Sequence, residues 1–112
     1  MDIVEVQRKR SEGMFWCKIF SSKEELVVAI CDEELLGKKI RMKEKKFNVH
    51  VSEKFYGEKL IDENIAVKLM KRATIGNLMG KRIVDIADKN GFIIKKNVIF
   101  IDGVPHAQFV KI

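Results

Sequence analysis

Met14-Phe15-Trp16-Cys17-Lys18-Ile19-Phe20, then Ser21-Ser22-Lys23-Glu24, then Leu26-Val27-Val28-Ala29-Ile30-Cys31 is the stretch that decides the fold. Both arms are rich in aromatic and branched residues, which suit a pleated backbone, and the break between them is short and polar. This is the pattern of a β-hairpin. Nearly every position of both arms is apolar, so the hairpin is expected to be covered on both faces. In that pairing Cys17 and Cys31 are expected on the same face, as diagonal neighbours.

Working outward, Asp32 to Leu36 reads as a cap followed by one short helical turn, ended by Gly37. Lys38 to Lys46 reads as a polar connection. Phe47, Val49 and Val51 alternate with Asn48 and His50, as in a half-buried strand. Asp62 is a good N-cap for a helix to about Ala73, with Ile65, Ala66, Leu69, Met70 and Ala73 inward. Thr74-Ile75-Gly76-Asn77 breaks it. A second helix, roughly Gly80 to Lys89, packs through Ile83, Ile86 and Ala87, and Asn90-Gly91 ends it. Two final strands, about Phe92 to Ile101 (kinked near Lys95-Lys96-Asn97) and His106 to Lys111, flank Asp102-Gly103-Val104-Pro105, a strong turn signal. Strands, then helices, then strands predict an α+β fold, an antiparallel or mixed sheet of about five strands with two helices packed on one face. Residues 14–112 are expected to form one domain. Residues 1–13 read as an extension in which Ile3, Val4 and Val6 suit a short edge strand.

The 112 residues are 46% apolar, enough for a core without disulfides or metal. No apolar run approaches the roughly 18–20 residues that a bilayer crossing needs. The two cysteines lie inside apolar runs, as buried thiols do in a reducing compartment, which predicts the cytoplasm. The net charge of +6 favours an anionic partner. Lys, Glu and Ile are abundant while Gln occurs twice and Thr once, a heat-adapted composition that raises the Lys background. Where the charge sits therefore says more than its sum.

It sits in Lys38, Lys39, Arg41, Lys43, Lys45 and Lys46, six cations in nine residues. Such density on a loop or exposed hairpin would neutralise several phosphates, and Phe55 and Tyr56 soon after would offer stacking faces to unpaired bases. The plainer reading is a solvated Lys-rich loop with Phe55 in the core. Gly80-Lys81-Arg82 at a helix start would bind one phosphate through backbone amides and the Lys81 and Arg82 cations. It is not a P-loop, lacking the glycine spacing and the magnesium-holding hydroxyl, and the rival reading is a tight helix–helix turn.

A second group comprises Asp32, Asn77, His106 and Gln108. His106 follows Pro105 at a strand start, and Gln108, two residues on, shares its face. Cys31 beside Asp32 would be a nucleophile only if a neighbour lowered its pKa, and the plainer reading is an inert buried thiol. Cys17, Cys31, His50 and His106 have the count for zinc but no close pair to nucleate a site. No catalytic residue, metal site or cofactor motif is assigned.

From Met14 onward the chain resembles a family of short archaeal proteins known only as a domain of unknown function, number 424 of that series. The likeness lies in Cys31-Asp32-Glu33-Glu34-Leu35-Leu36-Gly37-Lys38, Phe55-Tyr56-Gly57, Ala73 with Asn77 and Gly80, and Gly103-Val104-Pro105-His106-Ala107-Gln108. It implies an archaeal cytoplasmic origin and no particular activity. Charge and type of protein together suggest an association with the translation machinery.

The leading expectation is a module for RNA or a ribonucleoprotein, gripping phosphates through residues 38–46. The alternative is a small enzyme or ligand-binding protein built on Asp32, Asn77, His106 and Gln108, and a third is a protein–protein adaptor. Convergence of those four on one concave pocket favours a ligand, whereas cations aligned on one surface favour nucleic acid.

Overall fold

The computed structural model describes residues 13–42 and 47–112. The hairpin forms from β1 (Met14–Ser21) and β2 (Leu26–Asp32). Its loop is held by Ser22 N–H on Glu25 O at 2.9 Å and by Glu25 N–H on Ser22 Oγ at 3.2 Å. That closure pairs Trp16 with Cys31 and Cys17 with Ile30. The two cysteines thus point to opposite faces, correcting the expected diagonal contact, because a one-residue shift in register exchanges faces.

Asp32 leads into a 3₁₀ turn, Glu33–Leu35, without capping it. The stretch read as a connection contains β3 (Lys39–Met42), paired antiparallel with β4 (Phe47–His50) as a separate two-stranded sheet. Only Ile40, buried between exposed Lys39 and Arg41, betrays the alternation. Next come α1 (Glu53–Tyr56) and β5 (Lys59–Asp62), the latter pairing with β1. α2 (Glu63–Arg72) starts where expected, with Asp62 accepting from Ile65 N–H at 2.9 Å. Ala66, Met70 and Ala73 are buried on its inner face, but Ile65 is 45% exposed, off the edge of the apolar stripe.

The largest departure is β6 (Ile75–Met79), read as a break between helices and found at the centre of the sheet. Gly76 and Asn77 have poor strand propensity. Gly76 is there for packing, since a Cβ would lie 2.1 Å from Cε2 of Phe109. α3 (Lys81–Lys89) follows, then a 3₁₀ turn at Lys95–Asn97 where a kink was expected, so the strand expected from Phe92 is reduced to its last three residues. β7 (Ile99–Ile101) and β8 (Val104–Val110) are joined through Asp102 and Gly103, both left-handed at φ 48° and 80°.

The result is a mixed six-stranded sheet in the order β5-β1-β2-β6-β8-β7, parallel only between β2 and β6. α2 and α3 cover one face over Phe15, Cys17, Val28, Ile30, Leu78 and Phe109. The β3–β4 hairpin and α1 cover part of the other, over Ala29, Cys31, Ile40, Val51, Tyr56 and Met79. Ile3, Val4 and Val6 and the cations Lys43, Lys45 and Lys46 lie outside the described residues. Among the described residues no helix is long and apolar enough to cross a membrane.

Candidate functional site

Asn77 occupies the middle of β6 on the hairpin side of the sheet. The register sets Gln108 opposite it on β8 and Ala29 opposite it on β2, with His106 opposite Met79 one pair further along. From above, α1 delivers Tyr56, which is 4% exposed and donates its hydroxyl to Asn77 Oδ1 at 2.7 Å. His106 Nε2 lies 3.1 Å from the same oxygen. With Oδ1 accepting from both, Nε2 carries the imidazole proton and Nδ1 keeps its lone pair. Among the described residues nothing takes up that lone pair or the Asn77 Nδ2 hydrogens. Asn77 and His106 are half-buried and Gln108 is exposed.

Burial sets the protonation states. It pushes the Tyr56 phenol well above its ordinary value, with the Cys31 thiol adding to the effect, so Tyr56 is a fixed donor. It holds His106 below the ordinary imidazole value, so the ring is neutral near pH 7. Folding thus favours the neutral ring, and the associated stability is present above about pH 6.5 and lost as pH falls through the lower folded value. His106→Gln keeps a donor for Asn77 without a titrating group. It is expected to lose less stability than the natural protein between about pH 7 and pH 5 in urea unfolding. Equal losses would mean that His106 titrates as it does in the unfolded chain.

Burial, with the charges of Asp32 and Glu34, pushes the Cys31 thiol up to about 12 against a backbone hydrogen bond from Trp16. The Cys17 thiol is also raised, chiefly by burial. Neither thiol is a nucleophile at neutral pH. They face opposite sides of the sheet while His50 lies on the hairpin, so the four possible zinc ligands are not gathered.

The aromatic pair divides its roles. Phe55 is 37% exposed and stacks on Phe20 at 5.6 Å and 30°. The Lys18 ammonium sits 5.3 Å over the Phe20 ring and donates to Lys54 O at 2.9 Å. Tyr56, expected to offer a stacking face, instead turns inward and meets Phe55 edge-on at 4.8 Å. Lys18 and Phe20 did not stand out in the sequence, although a lone lysine inside an apolar strand was a signal.

Asp32 does not join this group. It sits on the helix side of the sheet, 3% exposed, at the start of α3. Its Oδ2 accepts from Arg82 N–H and its Oδ1 from Ile83 N–H, each at 2.9 Å. Burial raises its carboxyl, while those amides and Arg82 pull the other way. Gly80 makes the approach feasible at φ 122°, since a Cβ there would come within 2.4 Å of the Asp32 Cγ. The amides expected to hold a phosphate beside Lys81 and Arg82 thus hold the chain's own carboxylate. Arg82 is engaged with Glu34 and the Met14 carbonyl and lies 4.9 Å over the Phe15 ring, while Lys81 remains exposed.

Three of the four expected pocket residues therefore meet, joined by Tyr56, on a sheet face rather than in an enclosed cavity. A cavity of about 780 Å³ lies elsewhere, between α3 and β7. On the hairpin, Lys38, Lys39 and Arg41 are exposed, with His50 opposite Lys39 and Asn48 opposite Arg41.

Comparison with known proteins gives two likenesses. The model of a family described as "Protein of unknown function (DUF424)" matches residues 20–112. A crystal structure of an uncharacterized conserved protein from Methanopyrus kandleri superposes with a TM-score of 0.73 at 24% identity. It covers 88% of this chain and 94% of its own, a likeness of fold. No curated protein matches the chain.

Proposed function

Starting from a chain that belongs to DUF424, a family of unknown function, we propose that the protein binds single-stranded RNA in the cytoplasm. The β3–β4 hairpin lies along phosphates, and the face around Phe55, Asn77, His106 and Gln108 meets bases. One observation carries this reading: the cationic hairpin and the polar row occupy the same side of the six-stranded sheet. RNA recognition uses both chemistries together, cations for the backbone and aromatic or hydrogen-bonding groups for unstacked bases. Phe55 offers a ring face already backed by Phe20. Asn77 Nδ2 donates and neutral His106 Nδ1 accepts, a side-by-side pair suited to the edge of a base. A small-ligand site is less well supported, because Asp32 has left the group and Gln108 is open to solvent.

The test is fluorescence anisotropy with a labelled oligouridine of about 15 nucleotides, a length that spans one such binding face. Binding is expected at low salt. Phe55→Ala should weaken it roughly 5- to 100-fold through loss of one stacked base, in a variant that stays folded at the temperature of the measurement. Failure to bind at low salt, or equal affinity for the variant, overturns the reading.

A further inference from the structure

Among the described residues the sheet ends on two unlike edges. β5 presents exposed Lys59 and Asp62, charges of the kind that discourage strand pairing. β7 presents Ile99 and Phe100, 51% and 67% exposed, with Ile94 58% exposed close by in the chain. Phe100 lies opposite Pro105, which has no N–H, and the Pro105 carbonyl is taken by Gly80 N–H at 2.9 Å on the β6 side. The ladder between β7 and β8 therefore falls on Ile99 and Ile101, and the N–H and C=O of Phe100 point away from the sheet to its free edge. The Phe100 side chain lies on the α3 side. There it lines the cavity of about 780 Å³ with Val84, Val98 and Pro105.

We infer that two copies of this chain pair through β7, antiparallel, about a two-fold axis passing between their Phe100 residues. Among the described residues nothing pairs with either polar backbone group of Phe100, so Phe100 opposite Phe100 exchanges two hydrogen bonds and satisfies both copies at once. The strand is three residues long, which gives a foreign extended peptide few ladder bonds. A second copy brings more, namely its own Ile99, Phe100 and apolar groove, so each ring lies against the other at the mouths of two adjoining grooves. Charges of both signs line the groove, and Lys95 pairs there with Asp88 at 3.7 Å. An axis perpendicular to the sheet keeps both β3–β4 hairpins on one face. Ile40 of β3 and Ile101 of β7 share one apolar cluster, so the two hairpins flank the axis.

This inference stands without RNA and is tested without it, by sedimentation equilibrium of the full chain. A dimer is expected at micromolar concentration. Phe100→Lys is expected to be monomeric and still folded, judged by its circular dichroism, because the side chain is largely exposed in the single copy. Phe100→Cys supplies a measurement that does not depend on that variant folding. Across a closely spaced pair the two Cα atoms stand about 5.5 Å apart, within disulfide range, so mild oxidation should give a covalent dimer. The buried native thiols take no part. A natural protein that stays monomeric to about 100 µM, a dimer that survives Phe100→Lys, or the absence of the cross-link would each overturn the proposal.

Discussion

Replacing Asp32 by alanine is expected to lower the melting temperature by more than about 10 °C. The carboxylate caps α3 from a strand fifty positions earlier in the chain and is almost wholly shielded from water. Its removal leaves the Arg82 and Ile83 amides without acceptors at a buried helix start, at about 1–2 kcal/mol each. Arg82 loses one of its anionic neighbours as well. A total near 3 kcal/mol, at about 4 °C or more per kcal/mol for a domain of this size, gives the forecast. Asp32→Asn keeps one acceptor and should lose about half as much. Because burial raises the folded carboxyl above its unfolded value, the folded state holds the proton more tightly. The Asp32 contribution is therefore greatest at low pH and falls as pH rises through the folded value. The gap between natural protein and Asp32→Asn should widen when melts are repeated nearer pH 4 than pH 7. A fall of only a few degrees for Asp32→Ala would mean that α3 holds its place without the cap.

The second large effect concerns RNA. Neutralising Lys38, Lys39, Arg41, Lys43, Lys45 and Lys46 together removes up to six phosphate contacts. For a single strand the salt slope falls by about 0.7 per contact, so the variant should lose about four units of slope. Between about 50 and 200 mM salt the natural protein should lose roughly 300-fold in affinity, and the variant only a few-fold. Lys38, Lys39 and Arg41 are exposed, so stability should hold. Parallel salt plots for the two proteins would remove the hairpin from the binding surface.

Local signals were read correctly from the sequence. Asp62 caps α2, Asp102-Gly103 turns the chain, and Gly91 ends α3 with φ 77°. What escaped depended on partners far away in the chain. Asp32 has a capping residue's chemistry, and sequence reasoning gave it to the turn beside it, whereas the open amides it serves lie at Arg82 and Ile83. Gly76 looked like a breaker because its reason, the Phe109 ring, arrives thirty-three positions later. The site shows the same division. His106 and Gln108 share a strand face by spacing alone, but Asn77 reaches them only through the β6–β8 register, and Tyr56 only through the placing of α1.

The parallel contact of β2 with β6 has a consequence for the chain as it is made. Val27 meets Ile75, and Cys31 meets Met79, across forty-eight residues. Closing so long a loop is entropically costly, and little is gained until both strands are present. A chain emerging from the ribosome completes β1 and β2 early, yet one edge of β2, among the most apolar strands of the protein, stays open until Met79 has emerged. During that interval Val27 to Cys31 offers other nascent chains an adhesive edge, and prompt delivery of β6, or a chaperone's shelter, decides between folding and aggregation.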